Sequence, residues 1–209
     1  MADHLFEMHE TAGAYRAASH WWRSLVGGVD DHQWDQAALG EWSVRELVAH
    51  TNRAYKTVLD YVTGDVKDPT PIYSAAGYFR LVLAEETPHV HIAERGRQEA
   101  AALADPVATT DGLAGSVDAF LAKAAADTPM HLFVGEMQLD QYLATRVVEL
   151  VVHGLDLSAA IDLPTNPPTH AMRVAITVLL ELAGDDDLAS VARLLTGRAA
   201  SLPLTNVLD

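Results

Sequence analysis

The chain has 209 residues, 49% of them apolar, and its 29 Asp and Glu against 14 Lys and Arg give a net charge of −15. This composition is typical of a folded globular protein, and the negative charge disfavours binding to phosphate backbones, so we expect no nucleic-acid partner. The absence of cysteine excludes disulfides, thiolate metal sites and a cysteine nucleophile, which leaves histidine and carboxylate groups as ligands for any metal.

The N-terminal segment predicts a helix from about Asp3 to Leu25, because apolar residues recur there at alternating steps of three and four. The chain starts with MADHLFEMHE, which is acidic and lacks the apolar region of a signal peptide. Every apolar run stays below the roughly 18 residues that a membrane span needs. We therefore expect a cytoplasmic protein without a membrane partner.

The second predicted helix has a well-defined start. Ser43 and Glu46 have the spacing of a capping box, in which the serine side chain accepts from the glutamate backbone N–H and the glutamate side chain reaches back. The apolar stripe continues to Val62, and Gly64 ends it. The pattern predicts one continuous helix from Ser43 to Val62.

The rest of the chain also follows helical periodicity, with prolines and glycines at the breaks. The predicted elements are, in order, a helix from Ser74 to Leu103 with a kink or break at Pro88, a helix from Asp111 to Ala126, a turn or small hairpin from Met130 to Gln138, a long helix from Leu139 to Ile161, a linker over Thr165–Pro168, and helices over Thr169–Leu182 and Asp186–Leu195. We predict an all-α fold, with an antiparallel bundle over residues 1–163 and a helical C-terminal extension over residues 164–209, as a monomer or homodimer.

Three polar residues interrupt the apolar face of the long helix. Arg146, Glu149 and His153 follow one another at i, i+3 and i+7, so they run along one edge, with Glu149 and His153 on adjacent turns. Charged groups side by side in a core each need a partner. Two interpretations give each charged group a partner. In the first, Arg146 and Glu149 form a structural salt bridge and His153 bonds to a backbone carbonyl. In the second, Glu149 and His153 bind a metal together with a third ligand from elsewhere.

His50 is the natural third ligand, because it lies at the edge of the apolar stripe of the capped helix. A half-exposed surface histidine would show the same pattern. His89 and His91 form a rival pair, but a spacing of two residues places them on different sides of a helix. The other histidines have no carboxylate or histidine at a suitable spacing, and we expect them to be solvated: His4, His9, His20, His32, His131 and His170.

Two motifs resemble those of a known family. The segment Glu41–His50, EWSVRELVAH, is similar to the W-[ST]-V-R-[DE]-L-V-x-H motif of the DinB-like, mycothiol-dependent maleylpyruvate isomerase superfamily of actinobacteria. The segment Thr145–Leu157, TRVVELVVHGLDL, resembles its second motif, R-x-x-E-x-x-x-H-G-x-D-L. The ending Leu194–Arg198 is also similar to that of short members, and the resemblance covers about Leu5 to Leu163.

This resemblance implies a DinB-like four-helix bundle whose core binds a divalent metal through His50, Glu149 and His153. Two imidazole nitrogens and one carboxylate oxygen suit zinc and leave a position open, although the same set would accept Fe(II) or Ni(II). The resemblance also implies that mycothiol supplies a thiol that ionises on the metal. The expected activity is that of an isomerase or a thiol transferase acting on a small electrophile.

Three further residues have expected roles beside this triad, and for each of them the alternative is an exposed surface charge. Arg146 is expected to orient the Glu149 carboxylate or to meet a substrate carboxylate. Asp156 is expected to accept a hydrogen bond from the imidazole of His153. Arg80 is expected to face the bundle mouth and contact substrate or thiol.

The C-terminal region departs from the characterised isomerases, which carry a longer α/β domain there. About forty-five residues follow Pro164 and have a helical pattern, so maleylpyruvate itself is not implied as the substrate. Two alternatives to the thiol-dependent activity stay open. One is hydrolysis by a metal-bound water, and the other is a non-catalytic helical bundle that binds metal.

Overall fold

The computed structural model describes residues 5–63, 69–84 and 97–201. Most of these residues are helical, which confirms the predicted all-α class. The elements are α1 Met8–Val26, β1 Ala37–Leu39, β2 Trp42–Ser43, α2 Val44–Thr51, α3 Arg53–Asp60, α4 Ala75–Leu83, α5 Pro106–Leu121, β3 Pro129–Leu132, β4 Gly135–Gln138, α6 Leu139–Ala160, α7 Thr169–Leu182 and α8 Asp185–Leu195. Residues 97–101 are also helical. None of the described helices is both long and apolar enough to cross a membrane.

Four helical units form the bundle: α1, the consecutive helices α2 and α3, α5, and α6. Helices α2 and α3 run antiparallel to α6. His50 of α2 faces Glu149 in the middle of α6. Thr57 of α3 accepts a hydrogen bond of 2.7 Å from the hydroxyl of Tyr142, near the start of α6. This arrangement confirms that the His50 helix packs against the helix of Glu149 and His153.

Helices α1 and α6 run parallel, so the prediction of an antiparallel bundle is wrong for this pair. Near the start of both helices, the Gln141 side-chain amide donates to the Phe6 carbonyl at 3.1 Å. Further along, Gly154 packs against the ring of Trp21. A parallel pair is allowed because a long stretch of chain with several other helices separates α1 from α6, so no short loop forces them to be antiparallel neighbours.

Helix α5 runs antiparallel to α1. Two surface ion pairs show the direction, Arg16–Asp118 at 3.6 Å and Arg23–Asp111 at 2.6 Å. The bundle therefore contains two helical units in each direction, with α6 at its centre.

Helix α6 is surrounded by the other helices along its first half. Residues 139–148 are buried without a break, and they include Arg146. A helix that is covered on all sides loses the simple two-faced pattern of a surface helix. The partly exposed residues Glu149, His153 and Asp156 begin where this complete burial ends.

The capping box that starts α2 is confirmed. The Glu46 backbone N–H donates to Ser43 Oγ at 3.3 Å, and the Ser43 backbone N–H donates to Glu46 Oε2 at 2.8 Å. The predicted continuous helix is wrong in one respect, because Asn52 separates α2 from α3. The Asn52 side-chain carbonyl accepts a hydrogen bond of 3.0 Å from the Thr110 hydroxyl on α5. This contact with another helix has no signal in the local sequence.

Several predicted helix boundaries differ from the structure. Helix α1 starts at Met8 rather than about Asp3, and Asp3 lies outside the described residues. Helix α4 ends at Leu83, well before Leu103, while Pro88 lies outside the described residues.

Helix α5 covers Pro106–Leu121 rather than Asp111–Ala126, because Asp105 and Pro106 start this helix. Asp105 caps the helix by accepting from the Ala108 backbone N–H at 2.9 Å, and proline is favoured at the first helical position.

Two short antiparallel hairpins complete the bundle. The β3–β4 hairpin confirms the predicted turn or small hairpin but starts one residue earlier, at Pro129, and its strands pair in register from Pro129–Gln138 to Leu132–Gly135. The β1–β2 hairpin immediately precedes α2 and was not predicted, because strands of three and two residues are too short to show alternation.

The two C-terminal helices differ in how far they are buried. Helix α7 has the predicted bounds and packs on the bundle with four buried residues, Ala171, Val174, Ala175 and Val178. Helix α8 has no buried residue. The division into a bundle over 1–163 and an extension over 164–209 stays a prediction, since α7 contributes to the same apolar core.

Candidate metal centre

Two helices bring the candidate metal ligands together. The capping box fixes the start of α2, which places His50 near its end, where α2 crosses α6. On α6, Glu149 and His153 are one turn apart at i, i+4 and point in the same direction. Within the described residues, these three form the one group of His, Cys, Asp and Glu side chains that could hold a metal ion.

The distances between the three side chains fit a divalent metal. One ligand atom from each residue lies within 4.8 Å of the others. Glu149 Oε2 is 3.8 Å from His50 Nε2 and 3.4 Å from His153 Nε2. Tetrahedral zinc with bonds of about 2.1 Å needs ligand atoms about 3.4 Å apart, so a small inward movement would complete the site. The donor set of two imidazoles and one carboxylate is that of a catalytic zinc site.

Aromatic packing restricts the ring of His50. The Trp42 ring lies 4.6 Å from the His50 ring between centroids, and the two histidine rings of the triad are 5.0 Å apart and nearly perpendicular. The side chains of His50, Glu149 and His153 retain exposed fractions of 15%, 24% and 14%. The site is therefore partly covered but still accessible to a small ligand.

Asp156 orients His153. Its Oδ2 lies 3.1 Å from His153 Nδ1, one turn further along α6. Because this contact uses Nδ1, the other ring nitrogen, Nε2, is the one that faces Glu149. A carboxylate on the far nitrogen of a ligand imidazole is the usual way in which proteins fix the ring and its tautomer.

Arg146 lies on the other side of Glu149. Its guanidinium Nη2 is 3.8 Å from Glu149 Oε1, and the residue is only 6% exposed. The guanidinium carbon lies over the rings of Tyr142 and Tyr78, at 4.9 Å and 5.6 Å from their centroids. The salt bridge and the triad thus coexist, although they had been alternative interpretations of the sequence.

The charges of the site follow from these contacts. Burial acts to raise the pKa of the Glu149 carboxyl, but the hydrogen-bonding histidines His153 and His50 and the charge of Arg146 outweigh it and hold this pKa well below its usual value. Burial lowers the pKa of His50, which favours its neutral form. Burial also acts to lower the pKa of His153, but Asp156 and Glu149 prevail and raise it to about 9.

Arg80 is not brought together with the triad in any described contact. It is exposed on α4, and its guanidinium donates to the backbone carbonyl of Glu181 on α7. Its contact with substrate or thiol stays a prediction. The rival pair His89 and His91 lies outside the described residues.

The prediction that the remaining histidines are solvated is confirmed for most of those described and wrong for one. His9, His20, His32 and His170 are exposed, and His4 lies outside the described residues. His131 is partly buried, with Nδ1 3.0 Å from Glu136 Oε2. The two residues are cross-strand partners in the β3–β4 hairpin, a pairing that helical spacing rules do not detect.

Sequence reasoning also missed the aromatic residues around the site. Trp42, Tyr78 and Tyr142 contact His50 or Arg146, but in the sequence they read as ordinary core residues. The sequence signal for Trp42 was its position in the first motif. Tyr78 lies on α4, and nothing in the sequence indicated that this helix packs beside the site.

Comparison with known proteins identifies the family of the chain. The family model described as the mycothiol maleylpyruvate isomerase N-terminal domain matches residues 15–158, a range that includes all three triad residues. No curated protein and no solved structure matches the chain. Because the match covers well over half of the sequence, the chain belongs to the family of the mycothiol maleylpyruvate isomerase N-terminal domain.

Proposed function

We propose that this protein is a metal-dependent enzyme that uses mycothiol as a thiol cofactor or cosubstrate, in an isomerase or thiol-transferase reaction on a small electrophile. The observation that carries the proposal is the cluster of His50, Glu149 and His153 within a domain of the mycothiol-related family. Zinc is the proposed ion, because two nitrogens and one oxygen suit it and leave a position for a fourth ligand.

The thiol must come from a ligand. The chain contains no cysteine, so it has no nucleophilic sulfur of its own. Zinc in this site would lower the pKa of a bound thiol and so provide a thiolate near neutral pH. Addition of that thiolate to an electrophile, followed by its departure, would be an isomerisation; retention of the sulfur on the product would be a transfer.

The protein residues around the triad have supporting roles in this proposal. Asp156 keeps His153 oriented with Nε2 toward the metal position. Arg146 provides a buried positive charge beside Glu149. We also propose that the protein acts in the cytoplasm, and that residues 164–209 form a helical C-terminal extension of the bundle.

Calorimetric titration of the zinc-loaded protein with mycothiol tests the proposal. Repeating the titration in two buffers of different ionisation enthalpy counts the protons released. We expect saturable binding with release of about one proton per bound thiol, because the thiol ionises on the metal. Glu149→Gln should abolish binding together with zinc, whereas Asp60→Asn, a loss of charge at an exposed surface pair, should leave it unchanged.

Two results would contradict the proposal. If zinc-loaded protein cleaves an ester or amide without thiol, and mycothiol neither binds nor accelerates consumption of an unsaturated acid or an epoxide, the protein is a metal-dependent hydrolase. If zinc binds but neither mycothiol nor any of these substrates reacts, the site belongs to a non-catalytic bundle.

A further inference from the structure

The two carboxylate oxygens of Glu149 face different groups. Oε2 lies 3.8 Å from His50 Nε2 and 3.4 Å from His153 Nε2, which places it with the other candidate ligand atoms. Oε1 instead faces Arg146, with its nearest guanidinium nitrogen, Nη2, at 3.8 Å. The carboxylate is therefore oriented with one oxygen toward the metal position and one toward a fixed cation.

Arg146 has little freedom to leave this position. Its guanidinium carbon lies 4.9 Å from the Tyr142 ring centroid and 5.6 Å from that of Tyr78, on α6 and α4 respectively. Its Nε donates to Thr145 Oγ1 at 3.0 Å. Tyr142 is itself held by its hydrogen bond to Thr57 on α3. Residues of α6 and α4 therefore confine the guanidinium beside Glu149, and α3 holds one of the two tyrosines in place.

A confined cation restricts how a carboxylate can bind a metal. Carboxylates ligate with one oxygen or with both. Two-oxygen binding would bring the divalent ion closer to Arg146 and would withdraw Oε1 lone pairs from the guanidinium. Both effects oppose two-oxygen binding of a metal by the carboxylate in a partly buried site. One-oxygen binding through Oε2 keeps the ion pair at Oε1 intact.

We propose that Arg146 is a positioning residue that restricts Glu149 to one-oxygen metal binding through Oε2 and so keeps a coordination position free for an incoming ligand. This inference rests on the proposed function, because it assumes that the triad binds a metal. It assigns Arg146 a role toward the metal ligand rather than toward a substrate carboxylate.

Cobalt(II) provides a spectroscopic test without reference to activity. Four-coordinate cobalt absorbs visible light more strongly than five- or six-coordinate cobalt, so the spectrum reports coordination number. We expect Arg146→Met to free Oε1 for metal binding and to weaken the visible absorption relative to the wild type. Arg146→Lys keeps a positive charge near Oε1 and should largely restore the wild-type spectrum.

Arg16→Met is the matched control. Arg16 is a cation on α1 that pairs with Asp118 on α5 at 3.6 Å and has no described contact with the triad. Its loss should leave the cobalt spectrum unchanged. If Arg16→Met and Arg146→Met change the spectrum equally, the effect is one of overall charge and the inference is wrong.

The remaining outcomes separate this inference from the proposed function. If wild-type protein binds no cobalt, the metal site and the inference both fail. If it binds cobalt and all Arg146 variants keep the wild-type spectrum, only the inference fails. A crystal structure of zinc-loaded wild-type protein gives the same answer even if Arg146→Met does not fold. We expect one Glu149 oxygen at about 2.0–2.2 Å from zinc, and two bound oxygens would overturn the inference.

Discussion

The two histidines of the triad are held in different ways. His153 has the Asp156 carboxylate on its far nitrogen, whereas His50 packs against the ring of Trp42. The i, i+4 spacing of Glu149 and His153 was enough to predict that their side chains can reach a common position. No spacing rule joins His50 to them across a hundred residues, because their contact depends on how α2 packs on α6. The position of His50 at the edge of an apolar stripe made it a candidate third ligand, and the resemblance of the two motifs strengthened that prediction.

Loss of the Asp156 carboxylate should weaken metal binding. Asp156→Ala leaves His153 free to rotate and lowers its basicity, so we expect zinc affinity to fall about 10- to 100-fold. Asp156→Asn retains an acceptor and should cost less. Competition with a chromogenic chelator measures both affinities. Equal affinities for wild type and Asp156→Ala would show that Asp156 does not act on the site.

Protons should compete with the metal at His153. The pKa of His153 in the metal-free protein is raised to about 9, so at neutral pH both ring nitrogens are protonated. Zinc must displace the second of these protons in order to bind. Apparent zinc affinity should therefore fall about tenfold per pH unit as the pH decreases below about 9. The pKa of His50 is lowered, so its competition begins only at more acidic pH. Chelator competition at several pH values checks this, and an affinity independent of pH over the neutral range would contradict it.

At the scale of the elements, α1 and α6 approach closely at one point beside the site. A Cβ at Gly154 would overlap the ring of Trp21, so only glycine fits there without movement of the helices. Helical periodicity gives no reason for a glycine here, and the sequence signal for Gly154 was its match to the glycine of the second motif. The capping box and the apolar stripes predicted which segments are helical, but they contained no signal for the break at Asn52 or for the contact between α1 and α6.

Gly154→Ala should destabilise the fold and disturb the site. The added methyl group overpacks the α1–α6 contact, which typically costs about 1–3 kcal/mol, and it displaces the residue next to His153. Gly115→Ala on α5 is the matched control, because a Cβ there meets nothing within 4 Å. It should stabilise the protein by about 0.4–1 kcal/mol by restricting the unfolded chain. Denaturant unfolding measures both, and similar effects of the two substitutions would contradict the close contact.

At the scale of the whole molecule, the bundle encloses several tyrosines. Tyr15, Tyr55, Tyr78 and Tyr142 are buried in the apolar core, where burial raises the pKa of each hydroxyl. Tyr15 and Tyr55 lie at apolar positions of the first two predicted helices, so their burial is consistent with the helical periodicity. The parallel pairing of α1 with α6 was not predictable, because local sequence patterns do not distinguish a parallel from an antiparallel packing of two similar helices.

These tyrosines should make the protein sensitive to alkaline pH. A group whose pKa is raised by folding stabilises the native state below its unfolded pKa, about 10 for tyrosine, and that contribution is lost as pH rises toward the folded value. We expect the four buried tyrosines to ionise only as the helices unfold. Parallel records of tyrosinate absorbance and helical circular dichroism test this. Complete ionisation of all tyrosines in a protein that is still fully helical would contradict their burial.

Metal stoichiometry tests the central claim most directly. The protein should be purified without chelators, loaded with zinc, freed of excess ion and measured by elemental analysis beside the double variant His50→Ala, His153→Ala. The account predicts one tightly bound zinc per wild-type chain and none in a folded double variant. A wild-type protein without stoichiometric zinc, or a double variant that retains it, would contradict the assignment of His50, Glu149 and His153 as a metal site.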